Sequence, residues 1–328
     1  MEALAEARKK WTEWSMAAFF EGASAAARLF PQSNPKRYGV EVISNIQYRD
    51  TNSKYHLLDI YRPIKHDGPL PVVLYIHGGA FRILSKDTHW IMALGFAREG
   101  YVVANISYRL APQSPFPAAI EDSCYAFQWV VEHISDFGGD LSQLVLAGES
   151  AGANLVTALS ICATYARPEP YSQLVFNTEV VPKVVLPRCG VLQVSDLDRF
   201  FKLTDVSARW ADRLEQIGHG YVGKEAAKTV GDKRTELANP LLILESDVQP
   251  DRHLPAFFAT CGTKDILIYD TKRLIPALKK HGAVAEAVYY PGEGHAFQAM
   301  VFKKQAKNCW ADELRFTKRI LTQDKAKL

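Results

Sequence analysis

Residues 144–152 read Leu-Val-Leu-Ala-Gly-Glu-Ser-Ala-Gly. The four apolar residues at the start are typical of a strand that is buried on both faces, as in a parallel sheet. A helical pattern begins at Ala151, so the GxSxG sequence falls between a strand and a helix. A sharp turn at this point lifts the Oγ atom of Ser150 clear of the sheet at its C-terminal edge. The segment therefore predicts a serine nucleophile; the alternative is an ordinary glycine-rich turn.

The chain on either side of this turn alternates short apolar runs with helical patterns of about 10–15 residues. This alternation predicts a mostly parallel sheet with helices on both faces. The predicted parallel strands are Pro71–Ile76, Tyr101–Ile106, Leu144–Ala147, Val184–Val194, Ala256–Cys261 and Ala285–Tyr290, and two alternating segments, Tyr38–Tyr48 and Tyr55–Tyr61, predict antiparallel strands at a sheet edge. The predicted helices are residues 1–28 (with Leu4, Trp11, Trp14, Ala18 and Phe19 near one face), Thr88–Glu99, Phe116–Ser135, Ala151–Tyr165, Tyr269–His281 and Lys303–Leu321. Residues 196–251 contain helical pieces such as Thr204–Ile217 but no buried strand, which indicates an insertion.

A second glycine-rich loop, residues 77–81 (His-Gly-Gly-Ala-Phe), follows the first predicted parallel strand. Acyl transfer builds negative charge on the carbonyl oxygen of the substrate, and backbone N–H groups can stabilise that charge. Glycines allow the main chain to approach the oxygen closely. We therefore predict an oxyanion hole formed by the amides of Gly78, Gly79 and Ala151. His77 is predicted to brace this loop through hydrogen bonds, although a role as general base is an alternative.

A serine nucleophile needs a base, and the base needs a carboxylate to orient it. His295 is the predicted base because it lies in a glycine-rich loop directly after the last predicted strand. Asp265 is the predicted acid because it follows the preceding strand and lies 30 residues before His295. The order serine, acid, histidine is the one expected for this chain organisation. The alternatives are His253 and His281 for the base and Asp270 for the acid; His281 and Asp270 also fit the ends of a helix.

Composition and charge argue against several other classes of protein. The chain has 39 basic and 36 acidic residues and a net charge of +3, without the basic stripe expected of a nucleic-acid-binding protein. No apolar run approaches the roughly 18 residues that span a membrane, and charges interrupt the N-terminal stretch, so neither an integral membrane segment nor a secretion signal is expected. The five cysteines are widely spaced and form no CxxC, which predicts neither disulfides nor a zinc site and favours a cytoplasmic location.

With these motifs in place, the chain resembles the hormone-sensitive-lipase-like carboxylesterase family of the α/β-hydrolase fold. The resemblance covers roughly residues 70–300. It rests on His77–Gly79, Gly148–Gly152, Tyr108–Pro112, Phe116–Ala119 followed by Asp122, and the loops that contain Asp265 and His295. Ala80, Glu149 and Ile266 depart from the glycine, aspartate and proline that are usual in the family. None of the three changes removes a required group, and Ala80 is expected to narrow the space beside the oxyanion loop.

The resemblance implies an α/β-hydrolase fold, with a mostly parallel central sheet, helices on both faces and a helical cap. It assigns residues 1–45 and 196–251 to the cap, and residues 46–195 and 252–328 to the catalytic domain. The aromatic residues of the first helix, including Phe19 and Phe20, are expected to dock that helix rather than to line a substrate entrance. A homodimer is compatible with the resemblance, although no feature of the sequence supports one.

The function that the resemblance implies is a serine carboxylesterase for short- to medium-chain acyl esters of small molecules. Ser150, His295 and Asp265 are then the catalytic triad, with no metal or organic cofactor. An amidase or a deacetylase of acylated small molecules is an alternative that uses the same residues. A non-catalytic ligand-binding protein on the same scaffold is a further alternative. Such a protein is expected to lack a member of the triad, so the presence of all three candidates favours an enzyme.

Overall fold

The structure, a computed structural model, describes residue 15 and residues 17–325. Across these residues, eight strands form one sheet in the order β1-β2-β4-β3-β5-β6-β7-β8. The strands are β1 (Val40–Gln47), β2 (Leu57–Pro63), β3 (Leu70–Ile76), β4 (Val102–Ile106), β5 (Gly139–Glu149), β6 (Val184–Arg188), β7 (Ala256–Gly262) and β8 (Ala285–Tyr290). The pairs β1–β2 and β2–β4 are antiparallel, and all the other neighbours are parallel. The predicted mostly parallel sheet with an antiparallel edge is therefore confirmed.

Helices cover both faces of the sheet because successive side chains of a central strand point in opposite directions. In β3, Val72 and Leu74 contribute to one apolar core, and Val73 and Tyr75 contribute to a second core. The helices packed on the first core are α3 (Ala118–His133), α4 (Ala151–Thr164), α5 (Pro170–Phe176) and α10 (Ile268–Lys280). The helices packed on the second core are α2 (Trp90–Arg98) and α11 (Lys304–Lys325). The apolar strand runs read from the sequence thus reflect burial on both faces.

The chain between β6 and β7 forms only helices and loops. Its helices are α6 (Phe200–Leu203), α7 (Ala208–Tyr221), α8 (Lys224–Lys228) and α9 (Pro240–Glu245). The buried side chain of Asn154 in α4 holds this insertion to the core, because its Nδ2 atom donates to the carbonyl oxygens of Val191 and Ala238 at 2.7 and 3.0 Å. The insertion is consequently fixed against the first turns of α4, close to the GxSxG segment.

The predicted strand Val184–Val194 is wrong in its second half, because β6 ends at Arg188. The backbone N–H groups of residues 192–195 donate to the side chains of Asp270 and Asn239 at 2.8–3.2 Å, and they are therefore not available to a neighbouring strand. An apolar run does not by itself distinguish a buried strand from other buried backbone. Cys189, the residue after Arg188, therefore lies just beyond the C-terminal end of β6 and not within a strand.

The first helix, α1 (residues 17–28), is attached through polar contacts. Trp90 Nε1 donates to Ser24 Oγ at 3.0 Å, and Arg28 donates to the carbonyl oxygen of Asp87 at 2.9 Å. Phe19 and Phe20 are 69% and 44% exposed, so the expectation that they dock the helix was wrong. The predicted apolar residues Leu4, Trp11 and Trp14 lie outside the described residues. None of the helices in the described part of the chain combines the length and apolar character needed to cross a bilayer.

A buried ion pair connects the last helix to the centre of the sheet. Arg188 at the end of β6 is fully buried, and its Nε atom lies 3.0 Å from both carboxylate oxygens of Glu313 in α11. Thr260 Oγ1 donates to the same carboxylate at 3.2 Å, and the Trp310 ring lies 4.2 Å from the guanidinium carbon. Burial lowers the pKa of Arg188, but the charge of Glu313 outweighs this effect and raises it. Arg188 therefore remains charged inside the protein, directly opposite the carboxylate of Glu313.

Replacing Glu313 with glutamine is expected to lower the free energy of unfolding by about 3–5 kcal/mol, because Arg188 is left as an uncompensated buried charge. Glu286→Gln is the matched control, since the pair between Glu286 and Arg319 is solvent-exposed and is expected to contribute less than about 1 kcal/mol. Urea denaturation of the two variants measures the difference. Equal and small losses in both variants would contradict a structural role for the buried pair.

Candidate active site

Ser150 occupies a tight turn between β5 and α4, with φ 54° and ψ −115°. A residue other than glycine rarely adopts a positive φ, and such strain is common at functional sites. The flanking glycines are required by close backbone approaches: a Cβ atom on Gly152 would lie 2.1 Å from the carbonyl oxygen of Ile76, and one on Gly148 would lie 2.5 Å from that of Gly152. The backbone N–H of Ser150 donates to the carbonyl oxygen of Arg188 at 2.8 Å, which fixes the turn.

The structure brings Ser150, His295 and Asp265 into one hydrogen-bonded chain. Ser150 Oγ lies 3.0 Å from His295 Nε2, and His295 Nδ1 lies 2.7 Å from Asp265 Oδ2. Because a carboxylate only accepts hydrogen bonds, Nδ1 carries the proton, and Nε2 accepts the hydroxyl hydrogen of the serine. The other oxygen of Asp265 accepts from the backbone N–H of Leu267 at 3.0 Å. This arrangement can remove a proton from the serine hydroxyl.

Two loops hold Asp265 and His295 in place, although 30 residues separate them in the sequence. The backbone N–H of Lys264 donates to the carbonyl oxygen of Glu293 at 2.9 Å. A Cβ atom on Gly262 would lie 2.2 Å from the same carbonyl oxygen, so glycine is needed where the loops touch. The parallel pairing of β7 with β8 places both loops at one edge of the sheet. The acid and the base are consequently positioned as a unit.

The protonation state of His295 reflects opposing influences. Burial lowers the pKa of His295, but the charge of Asp265, the neighbouring Cys189 and the hydrogen bonds to both groups outweigh burial, and the pKa is raised well above its usual value. The imidazolium that forms when His295 accepts a proton is therefore stabilised by the protein. Its side chain is 19% exposed, whereas the carboxylate of Asp265 is fully buried.

The loop that carries Gly78 and Gly79 lies directly against the serine turn. A Cβ atom on Gly78 would be 3.4 Å from the Cβ atom of Ser150. The amide N–H groups of Gly78, Gly79 and Ala151 donate to no backbone carbonyl among the residues that the structure describes. Ala80 has a φ of 57°, the left-handed conformation that the usual glycine would adopt more easily. Gly78 and Ala151 therefore lie next to Ser150, and Gly79 follows Gly78 in the same loop.

His77 supports this loop and does not contact the serine. Its Nδ1 atom lies 2.6 Å from the carbonyl oxygen of Gly78, and its ring stacks on Tyr108 with a centroid distance of 4.2 Å. Burial and the neighbouring His89 lower the pKa of His77 to about 3, so that its ring is neutral near pH 7. His77 therefore has the contacts of a bracing residue, and the alternative role as base finds no support in them.

The remaining candidates for the base and the acid have their contacts outside the triad. His281 Nε2 contacts the carbonyl oxygen of Leu244 at 2.9 Å. Asp270 accepts hydrogen bonds from Arg199 and from backbone N–H groups of the segment after β6. His253 lies in the loop before β7. Among the described residues, His295 is the side chain that contacts Ser150 Oγ.

The residues of the Tyr108–Asp122 region hold the oxyanion loop from behind. Asp122 is fully buried and accepts from the backbone N–H of Arg109 at 2.8 Å and from its Nε at 2.9 Å. The residues directly after Arg109 contact the glycine-rich loop, because the backbone N–H of Ala111 donates to the carbonyl oxygen of Phe81 at 2.8 Å. This part of the family motif therefore has a structural role.

Three residues near the triad were not predicted from the sequence. Gln298 Nε2 donates at 2.9 Å to the buried carboxylate of Glu149, so that the histidine loop is attached to the serine turn. Trp210 in α7 contacts the His295 ring edge-on, with a centroid distance of 5.4 Å. Cys189 follows β6 directly and lies beside His295 and Asp265. Its position directly after a strand could have identified it from the sequence. The predicted strand continued to Val194, however, and so placed Cys189 inside the strand.

Glu149 accepts a second hydrogen bond, from His89 Nε2 at 3.0 Å. Burial raises the pKa of Glu149, but the hydrogen bond and charge of His89, with the charges of Arg188 and His295, lower it overall. Glu149, which is longer than the aspartate usual in the family, is therefore a buried anion behind the turn that carries Ser150. Its charge also favours the protonated form of His295.

Comparison with known proteins agrees with this architecture. The sequence model of the alpha/beta hydrolase fold family matches residues 73–299, which is more than half of the chain. Carboxylesterase NlhH of Mycobacterium tuberculosis is 41% identical over 116 residues, 35% of either chain. Hormone-sensitive lipase of Mus musculus is 37% identical over 105 residues, 31% of this chain and 14% of the lipase. The chain thus spans about a third or less of the length of these curated relatives.

The fold itself is shared over nearly the whole chain with solved structures. Esterase B from Lactobacillus rhamnosis superposes with a TM-score of 0.76 at 19% identity, covering 99% of this chain and 98% of that protein. At this identity the likeness concerns the fold alone. The family match and the similarity to the curated relatives show that the sequences are related as well. The chain belongs to the α/β-hydrolase fold family, and part of its sequence is similar to carboxylesterase NlhH and to hormone-sensitive lipase.

Proposed function

We propose that the protein is a serine carboxylesterase that hydrolyses short- to medium-chain acyl esters of small molecules. The observation that carries this proposal is the hydrogen-bonded chain from Ser150 Oγ through His295 to Asp265. A serine with a base at 3.0 Å and an oriented imidazole is the arrangement required for attack on an acyl carbon. The esterase names of relatives such as NlhH support the same class of reaction.

In the first half of the reaction, Ser150 Oγ attacks the ester carbonyl carbon while its proton passes to His295 Nε2. Asp265 holds the Nδ1–H and stabilises the resulting imidazolium. The amides of Gly78, Gly79 and Ala151 bind the negative carbonyl oxygen. His295 then returns the proton to the leaving alkoxide, which departs as the alcohol, and the acyl group remains on Ser150.

In the second half, water takes the place of the alcohol. His295 accepts a proton from the water as its oxygen attacks the acyl carbon, and the same amides bind the oxyanion. Collapse of this intermediate breaks the bond to Ser150 Oγ, to which His295 returns the proton, and the carboxylic acid leaves. The cycle regenerates the enzyme and needs only water as a second reactant.

The proposed preference for small esters is supported by the buried position of the nucleophile. Ser150 is 8% exposed, and Trp210 from the insertion lies against the ring of His295. We assign residues 196–251 to a cap over this site, because α7 supplies Trp210. Residues 40–45, which the sequence assigned to the cap, belong instead to β1 of the central sheet. An uncharged ester needs no electrostatic steering, which agrees with the small net charge of +3.

Initial rates on p-nitrophenyl esters of increasing acyl length test this proposal. We expect kcat/KM for butyrate or hexanoate to exceed that for dodecanoate by at least about tenfold, because Trp210 of the insertion, beside His295, should restrict the space for the acyl chain. The matching p-nitroanilides are expected to react more slowly than the esters. Faster turnover of the anilides would identify an amidase, and a preference for the longest ester would contradict the substrate size.

A further inference from the structure

Cys189 is the unexpected neighbour of the proposed triad. It follows the last residue of β6 with a φ of 41°, and its backbone N–H donates to the carbonyl oxygen of Thr260 at 2.7 Å. This strained conformation is held at the sheet edge where Asp265 and His295 also lie. One potential ligand atom from each of Cys189, Asp265 and His295 lies within 4.8 Å of the others. Thiolate, imidazole and carboxylate are together the ligand types that Zn²⁺ binds in proteins.

We propose that Cys189, His295 and Asp265 form a binding site for a borderline-soft divalent cation such as Zn²⁺, and that occupation of this site inhibits the enzyme. Zinc bond lengths of about 2.0–2.3 Å place tetrahedral ligand atoms about 3.3–3.6 Å apart. The separations at this site need to change by at most about 1.5 Å to reach that geometry. His295 Nδ1 and Asp265 Oδ2, now 2.7 Å apart, move apart when their shared proton is replaced by the ion. Water completes the coordination.

The surroundings of Cys189 suit a thiolate ligand. Its side chain is 1% exposed, and Gln298 Nε2 donates towards the sulfur at 3.8 Å. The thiol proton goes to solvent when the sulfur binds the ion. Among the three proposed ligands, His295 is the one with an exposed side chain, at 19%, so we expect the ion to enter beside its ring.

Inhibition follows from the proton balance on the imidazole, and this step rests on the proposed function. Coordination through Nδ1 displaces its proton, and the neutral ring carries a proton on Nε2 instead. From the neutral ring, one proton in total is released, that of Cys189; from the imidazolium, a second proton leaves Nδ1 to solvent. Nε2 then presents a donor to Ser150 Oγ, whereas the reaction needs an acceptor there. The bound ion therefore blocks general-base catalysis without occupying the substrate pocket.

The test uses the full-length protein freed of metal by a chelator, which is then removed. Zn²⁺ is added in increments before the ester assay, and Co²⁺ is used separately because a thiolate–cobalt bond has a distinctive charge-transfer absorption. We expect stoichiometric inhibition of the wild type by Zn²⁺ and the thiolate absorption with Co²⁺. In Cys189→Ser, the half-inhibitory Zn²⁺ concentration should rise at least about tenfold, and the thiolate absorption should vanish. Cys189→Ala serves as a second variant.

Cys162→Ser is the matched control, since Cys162 is also fully buried but lies within α4. It should behave as the wild type does in both measurements. Equal inhibition of the wild type and Cys189→Ser, or cobalt bound without thiolate absorption, would overturn the metal site. The cobalt spectrum does not depend on hydrolysis. A Cys189-dependent absorption in a protein without ester hydrolysis would therefore keep the site and reject the proposed function.

Discussion

Ser150→Ala is expected to lower kcat for ester hydrolysis by about six orders of magnitude, because the members of a triad act as a unit. Without Oγ there is no acyl-enzyme intermediate, and the residual rate comes from the oxyanion amides and substrate binding. The change removes one atom whose side-chain contact is with His295, so the fold should be unaffected. Steady-state rates and urea denaturation of the same preparation separate the two effects.

Ser160→Ala is the control for this substitution. Ser160 is a buried serine of α4, and its Oγ donates to the carbonyl oxygen of Thr157 at 2.7 Å. It should retain wild-type activity within a small factor. A fluorophosphonate probe adds an independent measurement, since it should label the wild type and Ser160→Ala covalently but leave Ser150→Ala unlabelled. Near-wild-type hydrolysis by Ser150→Ala would refute the assignment of the nucleophile.

Asp265→Asn has the second largest expected effect, a loss of about 10⁴ in kcat. The asparagine amide can donate to Nδ1, which favours the tautomer with its proton on Nε2. That tautomer cannot accept the proton of Ser150. The buried position of Asp265 excludes water as a substitute for the lost carboxylate.

The same variant should change the pH profile in a defined direction. Protonated His295 is not a base, so activity falls as the pH drops through its pKa. In the wild type this pKa is raised well above the usual value, and activity should therefore increase into the alkaline range. Removing the charge of Asp265 lowers the pKa, and the acidic midpoint of kcat/KM should move to lower pH in Asp265→Asn.

Asp270→Asn distinguishes the two candidate acids. Asp270 is buried and holds Arg199 at 2.7 Å, so its loss should reduce the free energy of unfolding. The folded fraction should nevertheless retain the wild-type pH midpoint, because Asp270 does not contact His295. The opposite outcome, a shifted midpoint in Asp270→Asn and an unshifted one in Asp265→Asn, would exchange the roles of the two residues.

The local pattern predicted much of the fold and of the candidate site because both depend on strand ends. An apolar run followed by glycines marks the point where a buried strand leaves the sheet. In a parallel sheet, such points meet at one edge. This is why Ser150, Asp265 and His295 could be chosen from sequence and why the structure brings them together. Gly152 is part of the same glycine pattern at a strand end, and the structure adds the reason for it: its backbone approaches Ile76 too closely for any side chain.

Contacts between distant segments could not be predicted in the same way. β6 ends at Arg188 because side chains 45 and 78 residues away take up the N–H groups of Val194 and Leu192. Trp210 reaches His295 because the insertion packs against the core, through contacts such as the hydrogen bond from Asn154 to Ala238. Neither contact produces a periodic pattern in the sequence, because each depends on how two segments that are distant in the chain pack together.

The sequence by itself determined the mostly parallel sheet, the serine turn and the order of the three candidate residues, because burial and turn geometry act over a few neighbouring positions. The tertiary structure decided what surrounds these residues. Cysteine spacing predicted no zinc site, yet packing places Cys189 beside Asp265 and His295. Ligands that come from three strand ends, far apart in the chain, become neighbours only when the sheet aligns those ends.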